Sequence, residues 1–583
     1  MSAAAIGLVT VVLALVLAAV KPLGLYIAAV MEGRNLWIVR LGAPLERRLY
    51  GWCGTDPQQE MSWRGYALAL LAFNTAGVIL VYALQRLQGW LPLNPQALGA
   101  VSPQSAFNTA VSFATNTDWQ AYSGENTLSN FSQMTGIQLH MFFSAAAGMA
   151  VVAALIRGLS RVQGKTLGCF WVDITRIIVY LLLPLSLVLS LFFLQQGMPQ
   201  SLHPFVQASL VEPIPAVTGV SPTAAVVTQT IPMGFVASQS GIKILGLNGG
   251  GFFGANSAHP FENPTPLTNF VTILMFVIIP SALFYTFGFM MNNRKHGWAL
   301  WIAAAVMFVP ALLISCHAEL KGSPHLAELH VASAPGNMEG KEQRIGVIGS
   351  AIFASGATST GAGANNCMYD SLTPLGGLVN MFNIQLGEVV YGGIGSGLYG
   401  LLIFVIITMM IAGLMVGRTP EYLGKKIEAY DVKMVVIAQI VFIFCILGFS
   451  SWAVVAPWGL AGTGNNGPHG WSEILYAYTS TAANNGTAFG GLTVNTWQYN
   501  VTLALSILFG RMWMKIPVLA LAGSMVKKKV VAEHAGSFPV HGFTFIFLLV
   551  AIVVIVGALT FFPADALGPI AEHYVMAGSK VLY

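Results

Sequence analysis

Charge is the scarcest commodity in this 583-residue chain: Asp, Glu, Lys and Arg make up 8% of it, against 55% hydrophobic residues. That balance excludes a soluble globular domain and a disordered one, and it matches an integral membrane protein. The 27 basic residues outnumber the 22 acidic ones only slightly and sit in short connections between apolar runs, so no nucleic-acid surface is implied. Cysteine is equally sparse. Cys53, Cys169, Cys316, Cys367 and Cys445 are scattered with no CxxC spacing, which argues against both a disulfide framework and a zinc site. His140, His259 and His469 share no metal-ligand spacing either. Nucleotide signatures fail on inspection. Gly158 to Thr166 has five residues between its glycines where a P-loop needs four, and Gly395-x-Gly397-x-x-Gly400 and Gly462-x-Gly464-x-x-Gly467 follow no strand.

What is present is apolar sequence in long runs. Stretches of roughly 20 residues, enough to cross a bilayer, fall at about 4–31, 65–87, 134–157, 174–195, 267–291, 298–316, 398–417, 434–456, 497–522 and 541–562. The first lacks a charged n-region and a cleavage site and reads as a retained helix. After it, long connections alternate with short ones. The short joints carry the positive charge: Arg157, Arg161 and Lys165; Arg294 and Lys295; Arg418, Lys425, Lys426 and Lys433; Lys527 to Lys529. Arg34, Arg40, Arg47, Arg48 and Arg64 lie in the 32–64 connection. The positive-inside rule places these joints in the cytoplasm and both termini outside.

The long, external connections each hold a semi-apolar piece of about 10–14 residues, too short to span, followed by a run of small and polar residues. The four runs are Thr115-Asn116-Thr117-Asp118, Leu247-Asn248-Gly249-Gly250, Ser359-Thr360-Gly361-Ala362-Gly363 and Asn484-Asn485-Gly486-Thr487. Span, half-helix, polar loop, span is thus a unit that occurs four times. The division it gives is 1–64 (extra helix and connection), 65–165, 166–295, 296–426 and 427–530 (four repeats), and 531–583 (closing helix). A re-entrant half-helix points the negative end of its dipole at the middle of the bilayer. Four such ends favour a cation, and loops of glycine and amide residues present carbonyls to it. Few charges and many carbonyls suit a monovalent ion better than a divalent one. Asp118 adds field strength.

Thr115-Asn-Thr with Trp119-Gln120, Leu245-Gly-Leu-Asn-Gly-Gly-Gly-Phe-Phe with His259-Pro-Phe-Glu-Asn-Pro, and Gly417-Arg-Thr-Pro-Glu-Tyr-Leu-Gly-Lys-Lys resemble the KdpA family, as do Leu91-Pro-Leu-Asn-Pro and Asn337-Met-Glu-Gly-Lys-Glu. The resemblance covers essentially the whole chain. It implies an all-α fold of the potassium-transporter superfamily, with one extra helix and four span–pore-loop–span repeats in pseudo-fourfold array. It also implies a potassium-binding, non-catalytic subunit of a bacterial inner-membrane importer. Potassium would be the transported ion, bound by the sixteen loop residues named above apart from Ala362. The implied partners are a P-type ATPase subunit and two small single-span subunits, and potassium would pass sideways through an intramembrane tunnel into the pump. No Asp-Lys-Thr-Gly phosphorylation motif occurs here, so ATP is handled by the partner. The alternative is a stand-alone Trk/Ktr-like transporter driven by an ion gradient; the first and last spans favour the subunit. Two departures from the family pattern stand out. Leu247 occupies a position usually small and polar. In the third loop the Ser-Thr-Gly motif favours Gly361 as the filter glycine, while counting from Phe353 and Tyr369 selects Gly363.

Further residues read as a gate or tunnel: Gln120, Glu388, the helix-breaking Gly392, Gly393, Gly395 and Gly397, and Arg511 and Lys515. The expectation for Glu388 and the glycines is an unwound start to the seventh span beneath the third loop, against a glycine-rich packing surface as the plainer reading. Arg511 is costly at depth and is expected to face the ion path or Glu388. Lys515, one turn on, is expected to snorkel to the cytoplasmic surface.

Overall fold

The computed structural model describes residues 3–34, 36–214, 226–322, 336–531 and 538–577. Among them ten helices are long and apolar enough to cross a membrane: Ile6–Met31, Trp63–Trp90, Ser132–Ser160, Phe170–Gln195, Pro266–Met290, Arg294–Lys321, Ser396–Met415, Ala429–Val455, Trp497–Met525 and Phe543–Ala577. Local chemistry fixes several starts. Ser62 and Thr496 accept the N–H three residues on, and Thr265 forms a reciprocal capping box with Thr268. The extra first span packs against the fifth, where Thr286 Oγ1 donates to the Gly24 carbonyl at 3.0 Å.

Four shorter helices dip in between spans: Pro103–Thr115, Val236–Leu245, Gly346–Ser359 and Gly467–Ala483. They coincide with the four semi-apolar pieces of the sequence. Being wholly enclosed by spans, they are buried on nearly every side. Their amides need no water because the helix satisfies them internally.

Three features add to the sequence reading, which predicts the unwound stretch of the seventh span but not the helix before it. The connection after the first span contains a helix, Trp37–Cys53, whose alternating Arg and apolar residues conceal it from a search for apolar runs. The seventh span is a broken helix. Its upper half, Pro374–Gln385, is capped by Thr373, the chain unwinds from Leu386 to Gly395, and Ser396–Met415 completes the crossing. A β-hairpin, Val206–Ile214 with Val226–Ile231, rises from the second long connection.

The basic joints do structural work as well as topological. Lys425 Nζ donates to the carbonyls of Gly158 (3.0 Å), Arg161 (2.6 Å) and Met525 (2.9 Å), capping the C-terminal ends of the third and ninth spans together. Arg157 grips Asp173 through both terminal nitrogens at 2.6 Å, and Arg161 grips Glu60 at 2.7 and 2.8 Å.

Candidate ion-binding site

Each short helix ends on one residue turned into the left-handed region, and these residues set a common register. They are Asn116 (φ 71°), Leu247 (φ 50°), Gly361 (φ 64°) and Asn484 (φ 62°). Two residues further on come Asp118, Gly249, Gly363 and Gly486. Gly363 is therefore the counterpart of Gly249 and Gly486, and Gly361 is the left-handed residue just past the end of the third short helix, so the register favours Gly363 over Gly361. The Ser-Thr-Gly motif misled because a glycine serves a helix cap as readily as a close approach.

At the second of these positions the loops nearly touch. A Cβ placed on Gly249 would lie 2.6 Å from Gly363 Cα and 2.8 Å from its carbonyl oxygen. One on Gly363 would lie 2.7 Å from Gly249 Cα and 2.8 Å from the Asn485 carbonyl oxygen, and one on Gly486 would overlap the Thr117 carbonyl. One on Gly250 would meet the Asp118 carbonyl at 2.8 Å. At each of the four junctions between neighbouring loops, a carbonyl of the first, third or fourth loop thus lies against a glycine of its neighbour.

Side-chain amides close the same ring. Asn116 Nδ2 donates to the Leu247 carbonyl at 3.2 Å, and Asn248 Nδ2 donates to Asn116 Oδ1 (2.9 Å) and Asp118 Oδ2 (2.8 Å). Asn484 Nδ2 reaches Thr117 Oγ1 at 2.8 Å, which in turn lies 3.2 Å from Thr115 Oγ1. Asn485 Nδ2 donates to the Ala357 carbonyl at 3.2 Å, and Thr487 Oγ1 is held by Asn485 and by Tyr476 OH. Ser359 and Thr360 are buried at the end of the third short helix, Thr360 Oγ1 donating to the Gly356 carbonyl at 2.7 Å. Leu247 contributes a main-chain oxygen to the amide ring and buries its side chain completely in the core. Asp118, the only acid in the ring, accepts at Oδ2 from the Gly249 N–H (3.2 Å), while its buried Oδ1 has no partner among the described residues.

Above the ring opens a vestibule of about 490 Å3 whose lining includes Asp118, Gly250, Gly363 and Gly486, one from each repeat. Gln120 belongs here. Its Oε1 accepts the Gly251 N–H at 3.0 Å on the vestibule side, so it stands at the entrance and not at a gate below. Sequence alone missed the braces of this mouth. Lys243 Nζ lies 2.5 Å from Glu262 Oε2, both 1% exposed, and also donates to Asn256 Oδ1 at 2.7 Å. Glu262 Oε1 accepts the Phe253 N–H at 2.9 Å. Lys341 and Glu319 form a second fully buried pair at 2.8 Å, with Glu319 holding Thr373 and Asn337. Their signal in sequence was a Lys inside a half-helix and acids within the external connections. Lys243→Met is expected to lower stability by about 3–5 kcal/mol, the usual effect of leaving a buried carboxylate unpaired. Thermal unfolding in detergent checks this, and a shift below 1 kcal/mol would reduce the pair to a bystander.

The fourth short helix is tied down by His469, whose Nδ1 lies 2.8 Å from Glu572 and Nε2 2.9 Å from Asp370. Burial opposes the charged ring, but the two carboxylates hold its proton and push its pKa up to about 10. Because the folded value is raised, the stabilisation is complete below the unfolded value near 6.5 and is lost as pH rises through about 10. The melting temperature should therefore fall by at least about 3 °C more in the native chain than in His469→Gln between pH 7 and 10.5. Parallel pH dependences in the two would contradict the assignment.

Beneath the ring the unwound part of the seventh span hangs from the third short helix: the Ser359 carbonyl accepts from Tyr391 N (3.1 Å) and Gly392 N (2.8 Å). Glu388, itself left-handed at φ 52°, puts both carboxylate oxygens 2.9 Å from where a Gly361 Cβ would sit. Gly392 and Gly397 pack against each other, Gly395 packs on the Gly148 carbonyl of the third span, and Gly393 lies against Ser396. Arg511 is 3% exposed on the ninth span and its Nε has no partner among the described residues. Among the described residues it forms no ion pair, with Glu388 or any other carboxylate. Lys515 is fully buried with its Nζ unpartnered among the described residues, so it does not snorkel. The helix runs on to Met525, about 15 Å further, which is beyond the reach of a lysine side chain.

Fold and site together define a class: a polytopic membrane protein in which four loops of one chain, each following a short buried helix, meet with main-chain carbonyls against one another's glycines. The chain belongs to the KdpA family, since the family model described as "Potassium-transporting ATPase A subunit" matches residues 10–574. It is 53% identical over 567 residues to a potassium-transporting ATPase potassium-binding subunit of Methylorubrum extorquens, covering 97% of each chain. It is 52% identical to that of Methylococcus capsulatus, covering 97% of this chain and 98% of the relative. Among solved structures, the potassium transporter TrkH of Vibrio parahaemolyticus shows 16% identity and a TM-score of 0.49, covering 87% of this chain and 96% of that one.

Proposed function

We propose that this chain is the potassium-binding and translocating subunit of an ATP-driven potassium importer in the bacterial inner membrane, with both termini outside. Potassium enters the vestibule, sheds its water onto the oxygens around Asp118, Gly249, Gly363 and Gly486, and is held by the loop residues Thr115 to Asp118, Leu247 to Gly250, Ser359 to Gly363 and Asn484 to Thr487. A collar of carbonyls rather than of acids selects for a weakly hydrated monovalent ion. Below it, Glu388 and the unwound glycine segment form the gate. Arg511 puts fixed positive charge on the ninth span beneath the collar and turns the ion aside toward a partner, with Lys515 lining the same path one turn further on. That partner is a P-type pump subunit, accompanied by two small single-span subunits, and this chain supplies no ATP site. The observation that carries the reading is the mutual packing of the Gly249, Gly363 and Gly486 backbones beneath one vestibule.

Affinity purification in mild detergent tests the assembly. A pump-sized polypeptide should copurify, and its ATPase activity should rise with potassium. Restoration of potassium uptake by this chain alone, with no ATPase present, would overturn the subunit reading in favour of a stand-alone transporter.

A further inference from the structure

The Trp37–Cys53 helix lies between the end of the first span at Met31 and the start of the second at Trp63, on the face of the membrane that carries the basic joints. Its rotation is fixed from within. Glu46 is buried and accepts from Tyr50 OH (2.7 Å), from Arg176 Nε (3.0 Å) and from Tyr180 OH, the last two on the first turns of the fourth span. Gly42 lets the helix close on Tyr180, for a Cβ there would sit 2.5 Å from the ring. With Glu46 and Tyr50 turned inward, the opposite face is committed outward.

That outward face is not one for water. Trp37 (75% exposed), Leu41 (74%), Leu45 (44%) and Trp52 (79%) fall within about 80° of arc at about 100° per residue. Arg48 lies among them, and Arg40 and Arg47 flank them on one side, all three exposed. The helix's one acid, Glu46, is spent on Arg176, so the outward face carries only positive charge. Tryptophan at both ends, leucine between and arginine along one flank is the chemistry of a helix lying in the headgroup region. Nearby, Arg34 stacks on Phe289 at 5.1 Å and Arg294 on the same ring at 5.4 Å, at the end of the fifth span, which sets the helix level with the membrane surface.

We propose that this helix is a seat for anionic phospholipid: its Trp and Leu side chains enter the acyl boundary, and Arg40, Arg47 and Arg48 collect negatively charged headgroups. The charge complementarity argues for an anionic leaflet over a partner helix. The seat does not depend on what the pore carries.

Cys53, at the end of the helix, is exposed while the other four cysteines are buried, so it offers a native attachment point. The purified complex, labelled at Cys53 with bimane and corrected with a Cys53→Ser sample, is reconstituted in phosphatidylcholine vesicles. About one-tenth of the lipid is either phosphatidylglycerol or phosphatidylcholine bearing a nitroxide near the headgroup end of one acyl chain. The anionic probe should quench at least about twofold more than the zwitterionic one. The R40Q/R47Q/R48Q variant, or about 1 M NaCl on the native protein, should bring the ratio to one while both probes still quench. Equal quenching in the native protein, no quenching by either probe, or an undiminished ratio in the triple variant would overturn the proposal. Absence of quenching would place the helix in water or beneath a partner subunit.

Discussion

Replacing Gly249 by serine should weaken potassium binding by the assembled complex about 10- to 100-fold and narrow its preference for potassium over rubidium and sodium. The added Cβ would sit 2.6 Å from Gly363 Cα, which is backbone and has no rotamer to yield. One of the two loops must retreat, at a cost of roughly 1–3 kcal/mol for overpacking, and each 1.4 kcal/mol is about tenfold in affinity. The retreat also displaces the Gly363 carbonyl, 2.8 Å from the same point, so the aperture changes shape as well as energy. Gly356 provides the control. It lies in the third short helix, where a Cβ would meet only Phe276 at 3.7 Å, so Gly356→Ala should leave affinity within about twofold. Potassium-dependent ATPase titrations of the complex measure both. Unchanged affinity in Gly249→Ser would remove this residue from the collar.

Arg511→Ala should leave binding within a few-fold of native but raise passive potassium leak through the complex about 30-fold. A unit charge about 8 Å from a passing cation, at an effective dielectric constant near 20, opposes it by roughly 2 kcal/mol. Arg511 is buried at mid-span and makes no ion pair among the described residues, so its field is not cancelled at short range. Removing it opens the straight route that the fixed charge closes, and ions should then cross without ATP turnover. Lys515, one turn further along and equally enclosed, has no carboxylate partner among the described residues to hold a charge on it, so the barrier is assigned to Arg511 and Lys515→Met should leak far less than Arg511→Ala. Potassium flux from loaded vesicles without ATP checks this. A tight membrane with fully coupled uptake in Arg511→Ala would show that the charge holds structure and does not direct ions.

The spans and the four half-helices were legible because lipid demands long apolar runs and because an amide- or glycine-rich run inside a membrane protein has few other uses. Three things were not legible, for separate physical reasons. The third loop contains glycines at both the cap and the collar positions, and only the left-handed residues at Asn116, Leu247 and Asn484 reveal which is which. The upper half of the seventh span, Pro374–Gln385, mixes Asn and Gly with apolar residues because it faces protein and not lipid, so it escapes a hydropathy reading. The pairs Lys243–Glu262 and Lys341–Glu319 join residues 19 and 22 positions apart in the chain, distances at which nothing in the order of residues announces a contact. Lys515 shows the opposite error. The general capacity of a lysine to snorkel suggested an exit to water that the length of the helix does not allow.

Potassium is expected at one place, between Asp118, Gly249, Gly363 and Gly486. Anomalous scattering from crystals of the complex grown with rubidium or thallium in place of potassium would locate the ion directly. A peak is expected between the four loops, within coordination distance of main-chain oxygens from all of them. A peak held by side-chain carboxylates elsewhere, with none between the loops, would contradict that expectation.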